Sequence, residues 1–332
     1  MFYVCARSRD ERGGVLAFDS DSLEQLAFLP LRHASYLAFS PDRKRLYAVC
    51  EDDEAGAVAT FALDADGLPH FEAILPVPGF SGCHLIAEPS GKFLYAANYS
   101  AGSFAEFRLK DGVPLGVTRM IRHHGRGPNA ERQEKAHVHF VQLTPDGRYL
   151  CVIDLGTDEI VCYALDADGV RTADAIRFKV TPAGSGPRHL VFTRSGDRAY
   201  LLNELENTVM TLGYGEGKFT WLATVSTLPP DFAGWSKAAA IRLSPDERFV
   251  LASNRGYDSI AVFERLGDEL KLRRLVPSGG KSPRDFNFIG ERLIAVANES
   301  TNNLVFFGYD LRTGALIPRD GDKYMVNPLC VF

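Results

Sequence analysis

Short apolar runs alternate with turn residues along the whole chain, and the same arrangement returns about every 47 residues. Each copy has an apolar run, a tight turn rich in Pro, Asp and Gly, a second apolar run, a polar turn and a third run. Runs of this length bounded by turn residues predict β-strands. A fixed period built only from strands predicts a radial array or a solenoid. The first two runs of six copies fall at residues 35–51, 84–99, 140–155, 189–205, 240–255 and 285–299.

The seventh copy is divided between the two ends of the chain. Residues 1–7 and 13–20 match the second and third runs, and the missing first run is present as 328–332. A sheet assembled from both termini closes a ring and removes the two open edges of a linear array. The pattern therefore predicts an all-β fold, a seven-bladed β-propeller closed by strands from both termini. Residues 1–332 are expected to form a single domain.

Composition argues against several classes of partner. The 332-residue chain has a net charge of −5, which gives no reason to expect nucleic acid or an anionic membrane as a partner. Its longest apolar runs have the length of strands, far below the roughly 18 residues of a membrane span. The first residues lack a basic start followed by an apolar stretch, so no secretory leader is expected. The six scattered cysteines are expected to be buried free thiols, and a cytoplasmic location is predicted.

Polar side chains are expected to gather at one mouth of the propeller channel. The first run of each copy leads to the tight turn, and the second run returns from it as an antiparallel neighbour. The start of the first run and the end of the second run therefore lie on the same face of the ring. Innermost strands line the channel, which places these positions around one mouth. They hold Ser35, Cys83, His139, Arg188, Ala239, Arg284 and Pro328 at the starts, and Glu51, Asn98, Asp154, Asn203, Glu204, Asn254, Arg255, Asn298 and Glu299 at the ends. An imidazole, three guanidiniums, carboxylates and amides at one mouth indicate an anionic ligand or developing negative charge.

Several of these residues also have purely structural interpretations. The repeated asparagines, such as Asn254, could cap the turns that follow them. Glu204 could simply neutralise an arginine. His137 and His139 alternate on one strand and could form half of a metal site. No third soft ligand recurs near them, so no metal is expected.

Five segments carry a more specific signal: 135–160, 184–192, 201–209, 238–263 and 282–288. In these strings and their order the chain resembles the seven-bladed lactonase family, which includes bacterial propeller-type 6-phosphogluconolactonases and fungal carboxy-cis,cis-muconate cyclases. The resemblance implies a lactone substrate with an anionic group, no required metal, and a site at one end of the channel. It also implies functional roles for His139, Arg188, Glu204 and Arg255, with Arg284 as a further anion contact. The turn FTRSG replaces a turn of the form FHP-G that many relatives have, but it lies on the opposite face of the ring.

The sequence therefore predicts a lactone hydrolase of the 6-phosphogluconolactonase type that needs no cofactor. Ester hydrolysis requires an activated water, a stabilised oxyanion and protonation of the leaving alkoxide. His139 or Glu204 is the expected base for the water. Arg188 and Arg255 would hold the oxyanion or the acidic group of the substrate.

The other expected contacts are with a small anionic lactone. Arg284 would bind the phosphate, with help from Arg122 or Arg126 in the polar stretch 122–135, because inserted loops of repeat proteins often lie on the binding face. The further substrate contacts are expected to be His137, His189, Asn203 and Asn254.

Two other functions are compatible with the same fold. A lactonising cyclase of the carboxy-cis,cis-muconate type would use the same arginines to hold carboxylates. A non-catalytic interaction scaffold would expose apolar and aromatic residues at the mouth, where this chain has charged ones. The fold alone does not distinguish between these functions. The sequence does not predict an oligomeric state.

Overall fold

The computed structural model describes residues 1–52, 56–77 and 79–332, and every regular element in this part of the chain is a β-strand. The described residues accordingly contain no apolar helix that is long enough to cross a membrane. The strands are β1 Phe2–Ala6, β2 Gly14–Phe18, β3 Gln25–Pro30, β4 Ala34–Phe39, β5 Arg45–Cys50, β6 Ala57–Leu63, β7 Pro69–Pro76, β8 Gly82–Ala87, β9 Phe93–Asn98, β10 Ser103–Lys110, β11 Val113–Arg122, β12 Val138–Leu143, β13 Tyr149–Asp154, β14 Glu159–Asp166, β15 Gly169–Val170, β16 Ile176–Lys179, β17 Pro187–Phe192, β18 Arg198–Asn203, β19 Thr208–Gly215, β20 Lys218–Ser226, β21 Lys237–Leu243, β22 Phe249–Arg255, β23 Ser259–Leu266, β24 Glu269–Pro277, β25 Pro283–Ile289, β26 Leu293–Asn298, β27 Asn303–Asp310, β28 Ala315–Tyr324 and β29 Pro328–Val331.

The strands form seven antiparallel sheets, and each sheet is one blade of a ring. From the channel outwards, blade 1 is β4-β5-β6-β7, blade 2 is β8-β9-β10-β11, blade 3 is β12-β13-β14-β16, blade 4 is β17-β18-β19-β20, blade 5 is β21-β22-β23-β24, blade 6 is β25-β26-β27-β28 and blade 7 is β29-β1-β2-β3. The short strand β15 also pairs with β14. The innermost strands contact one another in turn, from β4 through β8, β12, β17, β21, β25 and β29 back to β4. The predicted seven-bladed β-propeller is confirmed.

The place of a strand within its blade explains its composition. The second strands β9 and β22 are buried along their whole length and consist mostly of apolar or small residues, because neighbouring blades cover both faces. The outer strand β24 mixes exposed charged residues with partly buried ones, since only one of its faces packs. All six cysteines are buried free thiols, as expected.

The ring is closed by the two ends of the chain. Strand β29 pairs with β1, with Val331 opposite Val4 and Cys330 opposite Cys5. Beyond the ladder, Tyr3 and Phe332 exchange two backbone hydrogen bonds of 2.7 and 2.8 Å. The first strand of blade 7 thus comes from the C-terminus, as predicted.

Every innermost strand has a break in its pairing close to one mouth of the channel. In blade 4, Pro187 pairs with Asn203 and His189 pairs with Leu202, so Arg188 between them has no partner in the ladder. This is the pattern of a β-bulge, in which two residues of one strand oppose one of the other. The residues left out of the ladders are Ser35, Cys83, His139, Arg188, Ala239 with Ala240, Arg284 and Leu329. Six blades therefore have the bulge at the predicted mouth position, while blade 7 has it at Leu329, one residue after the predicted Pro328.

Candidate active site

The bulges turn two consecutive side chains of an innermost strand into the channel. In a regular strand successive side chains point to opposite faces, and a bulge interrupts this alternation. Arg188 and His189 therefore both line a small cavity in the channel, as do Arg284 and Asp285. The other lining residues are Ser35, Tyr36, Glu51, Cys83 and Leu329. Residues from five blades are thus brought together around one cavity.

Glu204, which follows β18, is the centre of an ion cluster beside this cavity. Its Oε2 lies 3.0 Å from Nε of Arg188 and 2.8 Å from Nη2 of Arg255. Its Oε1 accepts a hydrogen bond of 2.7 Å from Nη2 of Arg132. The side chains of Glu204 and Arg188 are only 2% and 3% exposed. Three guanidiniums therefore share one carboxylate that is shielded from water.

The surplus of positive charge changes how the cluster titrates. Burial raises the pKa of Glu204, but Arg255, Arg188 and Arg132 together outweigh it and hold that pKa well below its usual range. Burial, followed by the charge of Arg255, lowers the pKa of Arg188 to about 9. Because a bound anion would stabilise these crowded cations, the cluster is suited to hold negative charge.

His139 supplies a neutral imidazole next to the cluster. Burial, followed by the charge of Arg188, holds its pKa well below the usual range, so the ring is uncharged at neutral pH. Among the described residues its Nδ1 has no hydrogen-bond partner. Its ring centroid lies 5.6 Å from that of Tyr99 and 5.5 Å from that of His189. An uncharged imidazole with an unused nitrogen can accept a proton.

Aromatic rings form a floor beneath these polar groups. The rings of Tyr36, His84, Phe140 and His189 follow one another across the channel, with centroids 4.4, 3.8 and 4.6 Å apart. Each of these residues directly follows a bulge residue, so they form the next layer along the channel. The polar site is therefore bounded by rings on the side away from its mouth.

His137 uses both ring nitrogens within the protein. Its Nδ1 donates to the carbonyl oxygen of Tyr99 at 3.1 Å, and its Nε2 lies 3.0 Å from Oε1 of Glu134. Its ring stacks on that of Tyr99 with a centroid distance of 4.4 Å. His137 thus supports Tyr99 rather than forming half of a metal site with His139. No group of three or more His, Cys, Asp and Glu in the described ranges is placed to hold a metal ion.

The two asparagines expected to contact substrate are engaged by nearby residues. Asn254 is completely buried, donates to the carbonyl oxygen of Thr227 at 2.9 Å and accepts from the Thr227 hydroxyl at 2.6 Å. Asn203 donates to Oγ1 of Thr208 at 3.0 Å, which leaves its buried Oδ1 without a partner in the described part of the chain. The amide of Asn254 therefore ties the end of β22 to Thr227, which directly follows β20, and these contacts are not the expected cap of the turn that follows Asn254.

The long polar loop reaches the site through Arg132. Nε2 of Gln133 donates to the carbonyl oxygen of Leu155 and to Oδ1 of Asp158, both at 2.8 Å, and so fixes the loop on blade 3. The neighbouring Arg132 then donates from Nη2 to the Tyr99 hydroxyl at 3.1 Å as well as to Glu204.

The two loop arginines singled out from the sequence lie elsewhere. Arg122 ends β11, the outermost strand of blade 2, which is three strand spacings or about 14 Å from channel-lining β8. Arg126 is exposed within the loop. Neither belongs to the set of described residues that lines the cavity.

Tyr99, His84 and Arg132 were missed by sequence reasoning. Tyr99 directly follows Asn98 and His84 directly follows Cys83, so both adjoin positions that the repeat alignment had placed at the mouth. Nothing in the repeat alignment indicates the position of Arg132, because its loop has no counterpart in the other copies.

Known proteins are similar to this chain in fold and in sequence. A family model described as "Lactonase, 7-bladed beta-propeller" matches residues 2–332. The chain belongs to the seven-bladed β-propeller lactonase family. This membership confirms the resemblance and the expected enzyme class, a lactonase.

Individual relatives match most or almost all of the chain. The 6-phosphogluconolactonase of Bacillus subtilis strain 168 is 34% identical over 341 residues, with 99% of this chain and 97% of the relative covered. An uncharacterized protein of Staphylococcus saprophyticus is 36% identical over 295 residues, with 86% and 84% covered. The structure of the Pseudomonas aeruginosa periplasmic gluconolactonase PpgL has a TM-score of 0.90 at 28% identity, with 100% of this chain and 98% of that chain covered. Because these names differ in lactone and one specifies the periplasm, the exact substrate and the cytoplasmic location of this lactonase stay predictions.

Proposed function

We propose that this lactonase, as one domain over residues 1–332, hydrolyses 6-phosphogluconolactone to 6-phosphogluconate without a metal or cofactor. The observation that carries the proposal is the buried cluster of Arg188, Glu204 and Arg255 beside the neutral His139. The name of the Bacillus subtilis relative supports the phosphorylated sugar lactone as the substrate. An excess of guanidiniums over carboxylates also suits a substrate that carries negative charge.

His139 is the better candidate for the general base. The carboxylate of Glu204 already faces three guanidiniums, and its depressed pKa makes it a weak proton acceptor. His139 is uncharged and has a nitrogen without a partner among the described residues. We therefore assign the proton transfer to His139, while Glu204 holds the arginines in place.

The reaction then proceeds in two steps. His139 removes a proton from water as the water oxygen attacks the carbonyl carbon, and Arg188 and Arg255 stabilise the resulting oxyanion. When the tetrahedral intermediate collapses, the bond between this carbon and the ring oxygen breaks. The proton on His139 passes to the departing alkoxide, which gives the open-chain hydroxy acid. Arg284 lines the same cavity as Arg188, with its Nη1 3.7 Å from Oε2 of Glu299, and is a further substrate contact.

The test measures lactone opening with and without the proposed base. Ring opening is followed by proton release in weak buffer, with the spontaneous rate subtracted, for phosphorylated and unphosphorylated gluconolactone. His139→Gln is expected to lower kcat about 10²- to 10⁴-fold. His70→Gln, at an exposed histidine paired with Asp64 on an outer strand, is the matched control and should retain wild-type kcat.

The pH profile provides a second reading of the same assignment. A base must be deprotonated to act, and the pKa of His139 is lowered by burial and Arg188. The kcat/KM of the wild type should therefore persist below pH 6.5 and decline only at lower pH. A His139→Gln variant with wild-type kcat on every lactone would exclude His139 as the base.

A further inference from the structure

Lys237 lies at the rim of the candidate active site, just outside the cluster around Glu204. It begins β21 and pairs with Arg255 across blade 5. The next residue, Ala238, donates its backbone N–H to the carbonyl oxygen of Glu204 at 3.2 Å. The carbonyl oxygen of Ala238 accepts from Nη2 of Arg255 at 3.0 Å. The backbone of Lys237 is therefore fixed beside two residues of the cluster.

An exposed tryptophan stands next to this lysine. Trp235 is 65% exposed, which is unusual for so large a side chain. Nζ of Lys237 lies 5.3 Å from the centroid of the indole ring, within the range of cation–π attraction. The indole packs on Gly256, where φ is +100° and an added Cβ would lie 2.5 Å from the carbonyl oxygen of Trp235. The lack of a side chain at Gly256 lets Trp235 pack directly on the residue that follows Arg255 in the chain.

The ammonium of Lys237 lacks a carboxylate partner in the described ranges, where no carboxylate oxygen lies within 4.0 Å of it. Arg284 differs, because it faces Glu299 at 3.7 Å. Burial, followed by the charge of Arg132, lowers the pKa of Lys237, although the more distant carboxylates of Glu204 and Glu131 partly oppose this shift. An anion held between Lys237 and Arg132 would offset the repulsion between them and replace lost solvation.

We propose that Lys237 and Arg132 form the subsite for the phosphate of the lactone, and that Trp235 positions the Lys237 ammonium. This inference rests on the proposed function and specifies where the distal anionic group of that substrate binds. In 6-phosphogluconolactone the phosphate is carried by the exocyclic carbon C6, which is attached to the ring carbon C5. C5 and the carbonyl carbon C1 lie on opposite sides of the ring oxygen, so the phosphate and the carbonyl oxygen can point in different directions. With the carbonyl group at the buried arginines, the phosphate extends towards the rim.

Arg132 is suited to share the phosphate with Lys237. Its side chain is 24% exposed, in contrast to the buried Arg188. Its contacts with Glu204 and Tyr99 both use Nη2, so the other donors of the guanidinium fork can serve a ligand. Lys237 supplies a point charge and Arg132 a directional fork, and phosphate oxygens accept from both.

The test compares 6-phosphogluconolactone with unphosphorylated glucono-δ-lactone. For Lys237→Gln, kcat/KM on the phosphorylated lactone is expected to fall about ten- to a hundredfold, mainly through KM. On the unphosphorylated lactone it should change less than about threefold. The matched control is Lys281→Gln, which removes one charge from an exposed lysine on the same face, just before β25. It should change the ratio of the two kcat/KM values less than about twofold.

Arg284→Gln tests the competing location of the phosphate. If Arg284→Gln removes the preference for the phosphorylated lactone and Lys237→Gln does not, the phosphate binds on the Arg284 side and the inference is wrong. Equal losses for Lys237→Gln and Lys281→Gln would mean general electrostatic attraction and would also overturn it. A wild type that opens both lactones without preference overturns the subsite alone. A wild type that opens neither overturns the proposed function.

The positioning role of Trp235 has its own readout. Trp235→Leu should lose part of the preference for the phosphorylated lactone, because it removes the π face but retains an apolar side chain. The variant with both Trp235→Leu and Lys237→Gln should lose no more than Lys237→Gln alone, because Trp235 acts through Lys237. Fully additive losses would show that Trp235 contacts the substrate independently and would refute its positioning role.

Discussion

Replacing Glu204 by Gln should destabilise the protein through charge rather than shape. The two side chains are nearly the same size, so no cavity arises. Glu204 is the shared partner of Arg188, Arg255 and Arg132 at 2.7–3.0 Å. Its removal leaves buried guanidiniums that repel one another, because Gln accepts hydrogen bonds but carries no charge.

The size of this effect follows from burial. Both Glu204 and Arg188 have side chains that are almost fully shielded, so solvent screening gives little discount. Removing one partner of a buried ion pair lowers the free energy of unfolding by about 3–5 kcal/mol. Because the amide oxygen of Gln still accepts a hydrogen bond, we expect a loss of about 3 kcal/mol, at the lower end of this range. With an unfolding entropy of about 2.1 cal/mol/K per residue, 1 kcal/mol corresponds to about 1.4 °C in a chain of 332 residues. The expected fall in Tm is therefore about 4 °C.

The pH dependence of this difference has a definite sign. The arginines lower the pKa of Glu204 in the folded state, so its stabilising contribution is fully present above its unfolded value of about 4.3. The contribution is lost as pH falls from there through the folded pKa. The gap in Tm between wild type and Glu204→Gln should thus stay constant from about pH 8 to pH 5 and narrow below about pH 4.5.

Calorimetry on both proteins measures the gap directly. Glu159→Gln is the control, because Glu159 pairs with Arg177 at 2.7 Å between outer strands, where the two side chains are 20% and 51% exposed. A pair so exposed contributes about 0–1 kcal/mol, so the control should lose less than about 1.5 °C. If Glu204→Gln melts within 1 °C of this control, the carboxylate does not stabilise the arginines and the electrostatic reasoning fails.

Two further outcomes are expected. Deleting residues 328–332 should lower Tm markedly, because it exposes the edge of β1 and removes the buried Leu329, Cys330 and Val331. Burial of one large apolar side chain contributes about 1.5–3 kcal/mol to the free energy of unfolding. An unchanged Tm would contradict closure of the ring by β29. Dialysis against EDTA should leave the rate of lactone opening unaltered; loss of activity that one divalent ion restores would show that the enzyme requires a metal.

The periodic part of the structure was predictable from the sequence. The strand pairs separated by tight turns predict the blades. The absence of a first strand at the N-terminus, together with its presence at residues 328–332, predicts the closure of the ring. The mouth positions of His139, Arg188 and Arg284 followed from alignment of the copies. Blade 7 deviates by one residue at Leu329, because its first strand pairs with a strand from the other end of the chain and the position of a bulge depends on that pairing.

The aperiodic part was not predictable in the same way. Which arginine of the long loop reaches Glu204 depends on how Gln133 anchors the loop to Leu155 and Asp158, and these contacts join residues 22 and 25 positions apart. Arg122 and Arg126 matched the expected chemistry, but no repeat constrains where they lie. The contact between Asn254 and Thr227 was equally unpredictable, because an asparagine can either make a buried contact between loops or bind a ligand.

The bulges let this fold accept different side chains in its channel. A bulge residue takes no part in the ladder, so its replacement does not alter strand pairing, and its side chain still points into the channel. The ring holds charged or imidazole groups at this position in three blades and Ser35, Cys83, Ala239 and Leu329 in the other four. Three of these four positions, Ser35, Cys83 and Leu329, line the cavity, so substitutions there could change which ligand is bound, by evolution or by engineering, while the strand pairing is retained.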